Sequence, residues 1–159
     1  MSAALLALAL ATAVACGLSG GVFFAFSSFV MAALRALPPA QGLAAMQQIN
    51  AKALTPPFMT LFGGSTLLAL ASAAAGALYL DDPYGPWLAA AGALHLTGSF
   101  ALTAAYHVPR NDALARLDTD GPQNATAWRT YATGWTRANH VRALTDAAAC
   151  ACAAAALAA

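Results

Sequence analysis

The sequence predicts an all-α integral membrane four-helix bundle, on three observations. Its 159 residues are 60% hydrophobic and 8% charged, with no glutamate and a mean hydropathy of +0.64, a composition foreign to soluble domains. Four apolar runs approach or exceed the roughly 20 residues that cross a bilayer. The 7 basic and 6 acidic side chains gather mostly in the connections between those runs. Charge therefore marks loops, and neither a nucleic-acid surface nor an acidic-partner surface is indicated. A single membrane domain, 1–159, is expected.

The first run, 3–34, is uncharged, too long for the apolar core of a signal peptide and not preceded by basic residues, so it is expected to stay in the mature protein. The second, 58–80, begins after Pro56-Pro57 and stops at Asp81-Asp82; the third, 87–106, follows Pro83-Tyr-Gly-Pro86 and is expected to end at Pro109. The fourth is 141–158. In the first connection, 40–54 places Leu43, Met46, Gln47 and Asn50 on one helical side, which predicts a short amphipathic interfacial helix. In the third, Asp120-Gly121-Pro122 reads as a helix start. The fourth helix is then expected to begin in the cytoplasm and run for about 50 Å.

Arg35 and Lys52 lie in the first connection and Arg110, Arg116, Arg129 and Arg137 in the third. Both connections fall on one side of a four-span chain. The positive-inside rule makes that side cytoplasmic, in a cell inner membrane, and leaves the second connection and both termini outside. Tyr84 and Trp87 then anchor the outer interface. Gly17-x-x-x-Gly21 and Gly63-Gly64 read as close-packing surfaces, which are compatible with a homo-oligomer without fixing its number of copies. Cys16, Cys150 and Cys152, inside apolar runs, read as small buried hydrophobes.

At 100° per residue, Trp128, Tyr131, Trp135, Asn139, Arg142 and Asp146 fall within about 40° of one line on the fourth helix. His140 lies well off that line. An ionisable group within a span costs roughly 2.5–3.5 kcal/mol on insertion scales and normally faces the bundle interior, paired. Arg142 and Asp146, four apart, are expected to pair with each other. The third span carries His95, Ser99, Thr103 and His107 at steps of four, a slowly drifting line that should bring His107 and Asn111 level with Asn139 and Arg142. No H-x-x-x-H, E-x-x-H or C-x-x-C spacing brings two ligands onto one helix face. No cofactor is therefore predicted, although a haem or copper held across helices by His95 or His107 is left open. A nucleophile elbow and a phosphate-cradling glycine loop are both absent from the sequence.

Several segments resemble the anthrone oxygenase family of small four-helix membrane proteins. The segment Leu34-Arg-Ala-Leu-Pro-Pro through Gln47-Gln-Ile-Asn50 is similar to its first-connection signature, and Pro57-Phe-Met-Thr-Leu-Phe-Gly63 to the start of its second span. Val108-Pro109-x-Asn111 and Trp128…Tyr131…Trp135-Thr-Arg-x-Asn139-His140-Val-Arg142 are similar to its later signatures. The resemblance implies oxidation of a hydrophobic anthrone-type phenolic or polyketide substrate by O₂, without an obligatory organic cofactor. It carries Gln47, Asn50, Asn111, Trp135, Asn139, His140 and Arg142 as matching positions, while the family pattern more often has Asn where this chain has His107. The inward helix lines and the resemblance together make His107, His140, Arg142 and Asp146 the candidate catalytic residues. Asn111, Trp135, Asn139, Asn50 and Gln47 are the candidate substrate-binding residues. The expected partners are the lipid bilayer, the hydrophobic substrate and O₂.

Overall fold

The first helix begins where the Ser2 hydroxyl accepts the Leu5 amide at 3.3 Å, a cap for an otherwise orphaned donor. The computed structural model describes residues 1–119, 121 and 124–159. Among these residues five helices follow one another: α1, Ala3–Ala36; α2, Pro39–Ala53; α3, Pro56–Leu78; α4, Gly85–Ala115; and α5, Asn124–Ala158. All but α2 are long and apolar enough to cross a membrane. Prolines occupy the first turns of α2, α3 and α4, where the missing N–H has no helical partner to lose. The 35 residues of α5 extend well beyond its apolar half, as the sequence predicts. The predicted start of α5 at Asp120-Gly121-Pro122 lies, Gly121 apart, outside the described residues.

The four long helices pack cyclically, α1 against α3 and α5, and α4 against the same two. Leu6, Leu10, Val14, Leu18, Phe24, Phe29, Leu67 and Leu144 point outward and are exposed, as suits a hydrocarbon surrounding. Between the helices lie small residues such as Ala9, Ala13, Ala69, Ala91, Ala149 and Ala153, which let backbones approach where lipid offers no hydrophobic drive. Gly20 packs directly over Asp146, where a Cβ would lie 3.1 Å from the Asp146 Cβ. Gly21, Gly63 and Gly64 face open space instead. The α1–α5 contact uses Gly17 and Gly20, three apart, rather than the expected pair four apart.

The helix α2 closes one end of the bundle. Leu43 and Met46 insert among Met31 and Leu34 of α1, Leu114 of α4, and Trp128, Ala132 and Trp135 of α5. Gly42 makes this possible, because a Cβ there would come 2.7 Å from the Leu34 carbonyl oxygen and 2.9 Å from the Trp128 ring.

Wide π-helical turns interrupt α1 at Phe26–Val30 and α4 at His95–Ala101 and Thr103–His107. They have two consequences in α4. The helix runs past Pro109, where it was expected to end, to Ala115: the altered hydrogen-bond frame just before the proline accommodates its missing N–H. In an ordinary α-helix residues four apart drift by about 40° per step. The wide turns offset that drift, so His95, Ser99 and His107 are all buried and Thr103 is half-buried.

Candidate active site

On α5, Trp128, Trp135, Asn139, Arg142 and Asp146 are buried and Tyr131 is half-buried, while His140 is exposed on the other side. The inward stripe is the one its 3.6-residue period prescribes. Below α2 the helices leave a cavity of about 370 Å³. Its polar lining is Asn50 of α2, Thr103, His107 and Asn111 of α4, and Arg142 of α5, with Trp135 alongside. The rest is apolar, chiefly Phe23 and Phe26 of α1 and Phe58 and Phe62 of α3. Phe58 and Phe62 stack at 6.0 Å, and Phe23 meets each edge-on at 6.5 Å, an arrangement that suits the aromatic quadrupole.

Arg142 is anchored by neutral groups. One terminal nitrogen donates to Thr103 Oγ1 at 3.1 Å and the other to Asn139 Oδ1 at 2.6 Å. Its guanidinium carbon lies 4.2 Å from the centre of the Phe23 ring and 5.1 Å from that of Trp135, both within cation–π range. Asn139 is oriented in turn by donating to the Phe23 carbonyl at 2.7 Å and to Ser27 Oγ at 2.8 Å. Among the described residues Arg142 Nε has no hydrogen-bond partner.

A second chain of hydrogen bonds fixes Asn111. Its Oδ1 accepts from the Tyr131 hydroxyl at 2.8 Å and from Trp135 Nε1 at 3.1 Å, and Asn50 Nδ2 donates to the same hydroxyl at 3.3 Å. The carbonyl end of the Asn111 amide is therefore held by α5. Beside it His107 stands edge-on to Trp135, ring centres 5.1 Å apart. His107 is 1% exposed, and neither ring nitrogen has a partner among the described residues. A buried imidazole with both nitrogens unoccupied is the kind of exception that calls for an explanation.

Deeper in the bundle is a separate polar cluster. His95 Nδ1 and Asp146 Oδ1 are 2.8 Å apart, and Ser99 Oγ donates to Asp146 Oδ2 at 3.3 Å. His95 Nε2 lies 3.2 Å from Thr66 Oγ1 and 3.4 Å from Ser65 Oγ. This overturns the expected Arg142–Asp146 pair: an imidazole from the neighbouring helix reaches the carboxylate more closely than the arginine one turn along the same helix, and Arg142 turns to the cavity. Among the described residues no group of three or more His, Cys, Asp and Glu side chains is arranged to hold a metal ion.

The structure thus brings together Asn50, His107, Asn111, Trp135 and Arg142 around one cavity and leaves four candidates off it. Gln47 ties α2 to the end of α4 by donating to the Leu114 and Leu117 carbonyls, each at 2.9 Å. Asn139 positions Arg142, Asp146 lies one turn deeper, and His140 faces outward. Thr103, Tyr131 and the aromatic group Phe23 are the supporting residues that the candidate list lacked. Thr103 and Tyr131 stood on the predicted inward lines, whereas nothing in the sequence shows Phe23 lying against Arg142. A second depression, about 520 Å³, is an open groove between α1 and α3 lined almost wholly by carbon, with Ser65 and Thr60 at its edge. It lies on the outer face, away from the polar groups.

A family model described as anthrone oxygenase matches residues 58–152, more than half of the chain. The matched stretch includes His95, His107, Asn111, Trp135, Asn139, Arg142 and Asp146. No curated protein and no solved structure matches the chain.

Proposed function

Because the chain belongs to the anthrone oxygenase family, we propose that it is a membrane-embedded oxygenase that uses O₂ to oxidise a hydrophobic phenolic or polyketide substrate of the anthrone type. The observation that carries this reading is the pairing, across one aromatic-walled cavity, of an imidazole whose two nitrogens are unengaged and an arginine that has no carboxylate partner among the described residues. Such a pair supplies a base and an anion-stabilising group to the same bound molecule.

The chemistry needs little more. An anthrone has an acidic ring methylene between its two aromatic rings. His107 removes one methylene proton, and the charge moves to the ring oxygen, which Arg142 and the Asn111 amide stabilise. The electron-rich anion passes an electron to O₂, and carbon and superoxide combine to a peroxide that takes the proton back from His107. Loss of the second methylene proton as the O–O bond breaks leaves a ketone and water. One O₂ is consumed per anthrone, giving one anthraquinone and one water. The phenylalanines hold the flat substrate and keep bulk water out.

The test is oxygen uptake by the detergent-purified protein with emodinanthrone. Acceleration above the spontaneous rate, lost in Arg142→Ala, is the expected result. No acceleration across several anthrones would sink the reading.

A further inference from the structure

His95 and Asp146 lie one helical turn beyond the Arg142 end of the cavity, and a count of protons there sets the charge that the cavity presents. The Ser65 and Thr66 hydroxyls lie 2.9 and 2.8 Å from the Phe62 carbonyl oxygen, which only accepts, so each directs its single proton to it. His95 Nε2 faces the lone pairs of those same hydroxyls at 3.4 and 3.2 Å and therefore donates. On its other side Nδ1 and Asp146 Oδ1 approach to 2.8 Å, a distance that two unprotonated atoms would not keep. One further proton lies between them. Whichever atom holds it, His95 and Asp146 together carry no net charge.

Asp146 is consequently no counter-ion for Arg142. The titratable groups facing this region are Cys16 from α1, His95 and His107 from α4 with Arg110 beyond them, and Tyr131, Asp146 and Cys150 from α5; α3 has no titratable side chain. Arg142 itself is 5% exposed, lines the cavity and keeps an Nε without a partner among the described residues. An uncompensated cation within a bundle surrounded by hydrocarbon favours whatever anion can reach it.

We infer that the cavity favours its ligand in anionic form, a planar aromatic phenolate, or the enolate once His107 has taken the methylene proton, with its oxygen toward Arg142, and that His95 is a positioning residue that keeps this charge available by occupying Asp146. The aromatic nature of the ligand rests on the proposed function; the preference for an anion rests on the proton count alone.

Emodin, a hydroxyanthraquinone that turns from yellow to red when its phenol ionises and has no methylene left to oxidise, is the probe. Titrated across pH with the full-length protein in detergent, bound emodin should be red at least about one pH unit below the point at which free emodin turns, a tenfold or greater preference for the phenolate. Arg142→Lys should keep the red form, and Arg142→Gln should lose it. His95→Asn releases Asp146 toward Arg142 and should shrink the shift. Bound emodin that turns at the same pH as the free dye in the wild-type protein overturns the inference without recourse to any variant. An unaltered shift in folded His95→Asn overturns the role of His95, and displacement by palmitate at lower concentration than by alizarin overturns the aromatic assignment. Red bound emodin with no oxygen uptake on emodinanthrone would sink the oxygenase and leave the anion site; uptake with yellow bound emodin would do the reverse.

Discussion

Asn139 and His107 make opposite demands on their surroundings. Every polar atom of the Asn139 side chain is engaged, with Phe23, Ser27 and Arg142. Asn139→Ala leaves the Arg142 donor and two acceptors, the Phe23 carbonyl and Ser27 Oγ, without their partner, and should cost about 1–3 kcal/mol, read as a lowered thermal midpoint in detergent. It should also lower emodinanthrone turnover, because Arg142 loses its shorter anchor. Lost stability with emodin binding and turnover intact would mean that the stripe only locks the bundle. Among the described residues His107 has no hydrogen bond to lose. His107→Phe keeps a ring against Trp135 and removes both nitrogens, so the thermal midpoint should hold or rise while turnover falls by about 10²–10⁴, the usual contribution of a general base. Comparing melting curves with oxygen-uptake rates for this one variant separates a base from a packing residue.

Between elements, α4 and α5 meet through the buried His95–Asp146 pair, 2.8 Å apart. His95→Leu takes the closest partner from a buried carboxyl, leaving it Ser99 and a turn toward Arg142, and should destabilise by up to about 3–5 kcal/mol, whereas adding Asp146→Leu should recover part of that loss; chemical denaturation of the two variants gives the coupling directly. A double variant no better than the single one would show that the carboxyl has found another partner. This contact also marks where sequence reading stops. The α5 stripe was legible because an uninterrupted α-helix has one period, and Trp135, Asn139, Arg142 and Asp146 all face inward as that period requires. The partner of Asp146 was not legible: local spacing favoured Arg142, and only the tertiary approach of α4 makes His95 the closer group. The π turns were equally invisible, since a 3.6-residue period makes His95, Ser99, Thr103 and His107 drift apart when in fact they stay inward. Gly42 is an element-scale constraint of another kind. Gly42→Val should push α2 off Trp128 and open the cavity roof, raising the emodin dissociation constant more than it lowers the melting temperature.

At the scale of the whole molecule, both basic connections lie at the cavity end. The packing of Met31, Leu43, Leu114 and Trp128 in one cluster shows this, because those residues flank the first and third connections. Asp81 and Asp82, in the second connection, lie at the other end. On the positive-inside rule the cavity is expected at the cytoplasmic face. Leu54 and Met59, 74% and 44% exposed, stand among the cavity lining where α2 hands over to α3. Under the proposed function and this orientation, an apolar substrate would enter past these side chains from the inner leaflet without crossing the bilayer. The orientation is open to a direct test with alkaline phosphatase, which becomes active only outside the cytoplasm. Fused after Asp82 or after Ala159 it should be active, and fused after Arg116 inactive. The opposite pattern would put Arg142 and His107 at the outer face, where only a substrate already exported or dissolved in the outer leaflet could reach them, and the supply of substrate would have to be rethought even if the chemistry held.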